Sequence, residues 1–423
     1  MDKPMEPHKG TGLRVAALTG LYFSYFLSYF IKLSPSIIMP VLQQQYNFTS
    51  AQTGFIASMY FLPYATMQFF VGPLCRKLGT GPFVGSGLLI SCAGLLVFSN
   101  GSTVAALALG RFLLGLGTSP IFIGLVYYMR GSFEPARYAR YYGLGIFISN
   151  LGSIFAAAPL KAILNVLPIN SFFLILSIVT VCLGLFMIII DRQPRQSGTS
   201  QAEGQHILSG LAKDLKSVVT VPILLAGLLM WLIQAPSLVS YQGLWCTKWT
   251  GTAFPSFEHL SGLSGIAISI GSMIASLLGE RLVSSFKKRT GQPLGTMLTR
   301  ICLLHIGATM LLSISKLQDS ALLFVLSMFC DVLFGFTTGS IIVQVGVLVK
   351  ENTTEEHNAS IMGVFNGLGC ISQQLAQWIT GISIDLFILK TGANMAFSLT
   401  FTWLAVLFGL LTFASYRLQK HHK

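Results

Sequence analysis

Phe172-Phe-Leu-Ile-Leu-Ser-Ile-Val-Thr-Val-Cys-Leu-Gly-Leu-Phe-Met-Ile-Ile-Ile190 is nineteen residues long and carries no charge. As a helix rising about 1.5 Å per residue, it nearly crosses the ~30 Å hydrocarbon core of a bilayer. Lipid offers no partner to backbone N–H and C=O groups, so such a run must close its own hydrogen bonds as a helix. A helix on the surface of a soluble protein keeps a polar side, and this one is apolar all round. Phe397 to Phe413 reads the same way.

Working outward, 53% of the 423 residues are hydrophobic and 10% are charged, against about a quarter charged in a soluble domain. Turn and charge signals divide the chain into runs near 14–42, 53–75, 82–99, 104–130, 138–161 and 170–190, then 219–246, 260–283, 297–315, 320–349, 359–388 and 393–416. The expectation is an all-α membrane protein of twelve transmembrane helices in two pseudo-symmetric six-helix bundles, residues 1–190 and 218–423. Between them, 191–217 is rich in Pro, Gly, Ser and Gln, which suits a cytoplasmic linker.

A formal net charge of +13 could point to nucleic acid, but its placement decides otherwise. Lys and Arg gather in alternate gaps: Arg76 and Lys77; Arg130, Arg137 and Arg140; Arg192, Arg195, Lys213 and Lys216; Arg281 and Lys287 to Arg289. The other gaps hold single lysines, Lys161, Lys248, Lys316 and Lys390. This is the positive-inside pattern, which puts both termini in the cytoplasm. The apolar stretch from Leu13 to Leu42 is too long for a removable signal peptide. The seven cysteines lie in or beside apolar runs without paired spacing, so neither a metal site nor a cofactor is expected. Short loops point to a bacterial inner membrane, and the sequons at Asn47 and Asn100 sit too close to the membrane to carry weight.

Internal repetition is how many secondary transporters are built. Arg111-Phe-Leu-Leu-Gly115-Leu-Gly117-Thr118 of the fourth run lies without a gap over Asp331-Val-Leu-Phe-Gly335-Phe-Thr337-Thr338 of the tenth. A weaker match sets Pro35-Ser36 beside Pro236-Ser237, where missing N–H groups would loosen the first and seventh helices.

These features resemble the major facilitator superfamily over nearly the whole chain. Gly72-Pro-Leu-Cys-Arg76-Lys77-Leu-Gly79 is similar to that family's gating loop between helices 2 and 3, with Arg76 where an aspartate is expected. That departure puts the usual latch of the outward-open state in doubt. Gly110 to Gly117 resembles the helix 4 signature, with Arg111 in the arginine's place, whereas the Gly-Pro pair of drug antiporters is missing from helix 5. The resemblance implies alternating access by a monomer.

An ionisable side chain deep in a membrane helix is costly and is a functional candidate by default. Lys32 shares a helical stripe with Tyr22, Tyr25, Tyr29 and Ser36, which should face a cavity; it contacts substrate or snorkels to the outer surface. Its place in helix 1 resembles that of a substrate-binding arginine in organic-anion branches of the family. Arg111 serves substrate or coupling, or bonds within its own bundle. Asp331 carries a coupling proton, or pairs a cation, or forms a fixed ion pair. His305 is expected to be a packing histidine. Uncharged stripes add Gln234, Ser237, Tyr241 and Trp245 on helix 7, Asn366, Cys370, Gln373 and Gln377 on helix 11, and Tyr60, Tyr64 and Gln68 on helix 2.

Cations without an intramembrane acid in the first half should attract anions. The reading is a transporter of a small anionic or zwitterionic metabolite, coupled to a proton or sodium ion. The alternatives are an efflux pump for drugs or siderophore-like metabolites, and a membrane receptor that binds without moving solute. A membrane enzyme would need clustered His and carboxylate at one depth, and none is visible.

Overall fold

The computed structural model describes residues 11–68, 70–190 and 213–420. The first ten residues, most of the expected linker and the extreme tail lie outside the described residues, as do the surroundings of Gly72 and the side chain of Arg76. The elements are α1 (Thr11–Leu33), α2 (Pro35–Tyr46), α3 (Ser50–Ser58), α4 (Phe61–Met67), α5 (Val71–Leu78), α6 (Thr80–Asn100), α7 (Val104–Thr118), α8 (Pro120–Ser132), α9 (Pro135–Phe155), α10 (Ala158–Leu164) and α11 (Ile169–Ile190). They continue with α12 (Pro222–Ser240), a π-turn (Tyr241–Trp245), α13 (Cys246–Ala253), α14 (Leu263–Thr290), α15 (Leu294–Ser315), α16 (Ala321–Glu351), α17 (Glu355–Thr391) and α18 (Ala393–Lys420).

Among the described residues, eight helices are long and apolar enough to cross a membrane, and two further pairs bent by 42° and 57° could each make one span. The broken run α3 to α5 and the long helix α17 take the places of the second and eleventh expected runs. Side-chain polarity is arranged for lipid rather than water. On α11, Leu174, Ile178, Leu185 and Ile189 are exposed while Ser177, Thr180 and Gly184 are buried. On α16, Leu322, Val325 and Phe329 face out, and Asp331, Thr337, Thr338 and Gln344 face in.

Several expected helices are broken where the backbone lacks donors. The first run is not continuous: α1 stops at Leu33 and α2 starts at Pro35, because Pro35 has no N–H for the carbonyl four residues back. Ser36 therefore falls beyond the break, on α2. In the seventh run the matching Pro236 is absorbed inside α12, and the ladder is disturbed one turn later, at the π-turn. Residues 76–78, expected in the loop after the second run, are helical. The chain turns only at Gly79, whose φ of 85° an L side chain would resist.

The described residues fall into two compact units, one within 1–34 and 56–199, the other within 35–55 and 200–423. In the first, α6 packs along α7 and α11; in the second, α14 packs along α16. The repeat seen in sequence has a structural counterpart within each unit. A Cβ on Gly115 would lie 1.9 Å from the carbonyl oxygen of Tyr60, and one on Gly335 would lie 1.9 Å from that of Ile268. Matched glycines thus let matched helices touch through their backbones.

Candidate functional site

In the first unit the site begins with a carbonyl that Pro35 cannot serve. Ile31, four residues earlier, accepts instead from Arg111 Nη1 at 3.0 Å and from Ser34 Oγ at 3.1 Å. The other arm of the same guanidinium, Nη2, donates at 3.3 Å to Ala57 O, just before the interruption between α3 and α4. Arg111 is 2% exposed and lies 4.8 Å from the centre of the Tyr60 ring. The Tyr60 hydroxyl shares a hydrogen with Thr118 Oγ1 at 2.6 Å. Arg111 thus bonds within its own unit, joining the broken ends of two helices.

Lys32, on the last turn of α1, is different. Its Nζ lies 5.4 Å from the Tyr29 ring centre and 5.8 Å from that of Phe61, and the residue is partly exposed. Among the described residues no carboxylate comes within ion-pair distance of it. Between residues 11 and 190 the sequence holds one acid, Glu134, and that is exposed and 3.7 Å from Arg137. Tyr25 meets Tyr29 edge-on at 5.2 Å and stacks on Phe122 at 5.5 Å. Tyr22 leaves the stripe, its hydroxyl donating to Tyr141 O at 2.8 Å. The result is an ammonium held among aromatic rings without a counter-charge.

The second unit centres on Asp331. The Tyr241 hydroxyl donates to Asp331 Oδ1 at 2.6 Å and accepts from Lys316 Nζ at 2.8 Å. Lys316 also donates to Thr250 Oγ1 at 2.6 Å, and its Nζ lies 4.9 Å from the Trp249 ring centre. Lys316, Tyr241 and Asp331 are each fully buried. Lys316, grouped above with the loop lysines, is thus the inward cation of this cluster. Its burial follows from the packing of α13, α15 and α16, which no local pattern displays. A signal did exist: a carboxylate deep in an apolar helix demands a cation, and the same half of the sequence offers few lone lysines.

Other expected residues divide. Trp245 Nε1 donates to Thr380 Oγ1 at 2.9 Å, and Gln377 Nε2 donates to Val239 O at 2.9 Å, beside the π-turn. Gln234 is buried, Gln373 is nearly so with its side-chain oxygen lacking a protein donor, and Asn366 is half-buried. His305 is buried on Thr337 at 2.9 Å, as a packing histidine should be. Arg111 and Asp331, aligned in the repeat, each find partners inside their own unit. Lys77 and Gly79 lie at the α5–α6 turn, where Lys77 is exposed. Among the described residues no cluster of His, Cys, Asp and Glu could hold a metal.

The profile described as "Major Facilitator Superfamily" matches residues 21–377. The "Probable sulfoacetate transporter" of Cupriavidus necator is 29% identical over 23% of the chain and 23% of its own length. An uncharacterized MFS-type transporter of Bacillus subtilis is 23% identical over 59% and 62%. The "Probable hexose phosphate transport protein" of Chlamydia muridarum is 30% identical over 22% and 20%. The chain thus spans less than two thirds of the length of each of these relatives. Among solved structures, the nucleoside transporter NupG superposes with a TM-score of 0.74 at 17% identity, over 96% of this chain and 99% of that one. A bacterial homologue of the human lysosomal transporter Spinster does so with 0.76 at 11%, over 97% and 98%. At these identities the likeness is one of fold.

Proposed function

The chain belongs to the Major Facilitator Superfamily, and from that premise we propose that it is a secondary transporter moving a small anionic or zwitterionic metabolite by alternating access. The observation that carries the choice of charge is Lys32, an uncompensated cation in a unit whose sequence from residue 11 to 190 has one acid, spent at the surface. Such a site favours anions and repels organic amines. Two relatives bear the names of anionic solutes, sulfoacetate and hexose phosphate, which agrees with this reading.

Within it, Lys32 binds the anionic group, with Tyr25 and Tyr29 as its aromatic surround. Gln234, Asn366 and Gln373 offer hydrogen bonds to the polar remainder. Arg111 acts through the backbone it holds rather than by contact with substrate. Asp331 takes the coupling proton. When it is ionised, its Oδ1 accepts from Tyr241, which in turn accepts from Lys316; when it is protonated, the Lys316 charge loses its nearby anion and the cluster must rearrange. From the basic gaps in the sequence we assign both termini to the cytoplasm and the protein to a bacterial cytoplasmic membrane.

The reading is tested by thermal stabilisation of the purified protein with matched panels of small carboxylates, phosphate esters, zwitterions and amines. Stabilisation by members of the first three panels is expected. A shift from amines alone would overturn it.

A further inference from the structure

Two exposed apolar stripes of the second unit finish at the same end of it. On α15 the stripe is Leu303, Leu304, Leu311 and Ile314, and on α18 it is Val406, Leu410 and Phe413. Both spacings follow one face of a helix, as a lipid-facing surface requires. Arg300 stands one turn before Leu304 and Arg417 one turn after Phe413, and both are exposed. The two helices pack on each other, with Gly295 at the start of α15 against Gln419 at the end of α18. Each stripe therefore terminates in an arginine at a shared end.

That end is strongly basic. From 281 to 300 the sequence holds Arg281, Lys287, Lys288, Arg289 and Arg300 without an acid, and from 413 to 423 it adds Arg417, Lys420 and Lys423, again without one. Arg300 lies 5.6 Å from the Phe286 ring centre, Arg417 lies 5.2 Å from that of Phe413, and Lys420 lies 5.0 Å from that of Tyr416. A cation laid over a ring at the end of an apolar stripe belongs at the boundary between hydrocarbon and headgroups.

Between these helix ends lies a recess of about 400 Å³. Its wall includes Lys287 of α14, Leu294 and Gly295 of α15, Leu348 and Glu351 of α16, and Gln419 of α18. Helix α15 begins there at Pro293 with no side-chain cap, so its dipole adds to the positive field. A Cβ on Gly295 would lie 2.2 Å from Gln419 Oε1, so the missing side chain gives the Gln419 amide its place in the wall. Glu351 pairs with Lys287, whose side chain is 39% exposed against 44% for its partner. Ion pairs so exposed are weak, and a phosphate can compete for the ammonium.

We propose that this recess takes the phosphate of an anionic phospholipid whose acyl chains lie along the stripes of α15 and α18. On binding, Lys287 turns from Glu351 to the phosphate, with Arg300 and Arg417 at the rim. Charge selects an anionic headgroup over a zwitterionic one, and the stripes select a lipid over a free phosphate ester. Lys32 belongs to the first unit and takes no part, so the site is independent of what the chain transports.

Native mass spectrometry of the delipidated full chain in detergent tests it, with phosphatidylglycerol and phosphatidylethanolamine titrated separately. Wild type should retain phosphatidylglycerol at least about tenfold more tightly, and excess glycerol 3-phosphate should not displace it. Lys287→Gln should weaken phosphatidylglycerol at least about tenfold, and Arg300→Gln and Arg417→Gln by smaller factors. Glu351→Gln removes the competitor for Lys287, so this variant should bind phosphatidylglycerol more tightly than wild type. Damage to the fold would not produce such a gain. Equal retention of the two lipids by wild type, displacement by glycerol 3-phosphate, or a Glu351→Gln variant that binds no more tightly would overturn the proposal.

Discussion

Arg111 donates to the carbonyl oxygen of Ile31 at 3.0 Å, the oxygen that Pro35 has no N–H to reach. A proline in one helix thus creates the acceptor that an arginine in another satisfies, and neither residue is explained without its partner.

Arg111→Ala should lower stability by about 1–3 kcal/mol, since it removes the guanidinium donors to Ile31 O, which keeps only Ser34 Oγ, and to Ala57 O. Restoring a donor should repair part of the loss. In Pro35→Ala the backbone can serve Ile31 itself, so the double variant should lose less than the two single losses added together. Denaturation of the four proteins in one detergent completes the cycle; strict additivity would show that the two residues do not communicate.

For Lys316 and Asp331, neutralising either one strands the other inside the protein, at a cost of roughly 3–5 kcal/mol. Asp331→Asn and Lys316→Gln should each be markedly less stable than wild type, and the double variant more stable than either. Melting curves monitored by circular dichroism decide it. A double variant worse than both singles would remove the Tyr241-bridged pairing as the reason for their burial.

Lys32→Gln should weaken binding of an anionic solute at least about tenfold, the effect of losing one charge-assisted contact. Lys32→Arg should retain most of it. Either change should shift the melting temperature of the empty protein little, because Lys32 is partly exposed and its contacts are with the Tyr29 and Phe61 rings. Isothermal titration with the anion selected by the thermal screen measures both variants.

Gly115→Ala and Gly335→Ala should each destabilise by about 1–3 kcal/mol, because a methyl group at either position collides with a backbone oxygen rather than a movable side chain. Similar losses at the two positions would express the repeat as energy. A neutral effect at one of them would confine the backbone contact to the other unit.

Membrane character, the helical fold and the repeat were legible because each is local: about twenty apolar residues suffice to declare a span. The break at Pro35 was legible in kind, since proline acts on its own helix. The π-turn was not, because Tyr241–Trp245 itself contains no proline or glycine-proline signal. Asp331 stood out as a carboxylate inside an apolar helix. Lys316 and Asp385 did not, since each sits near a helix end, where charges are usually solvated. Only the tertiary fold buries Lys316 on Tyr241 and brings Asp385 to the start of α3. For Arg111 the sequence allowed two roles, and its bonds to the carbonyls of Ile31 and Ala57 were not legible there.

The most direct test is uptake into proteoliposomes of the anion that stabilises the purified protein, with and without an imposed proton gradient, for wild type and Asp331→Asn. Saturable uptake that the gradient drives above equilibrium in wild type, and that the variant reduces to passive equilibration, is the predicted result. Transport restricted to cations, or gradient-driven accumulation undiminished in Asp331→Asn, would contradict it.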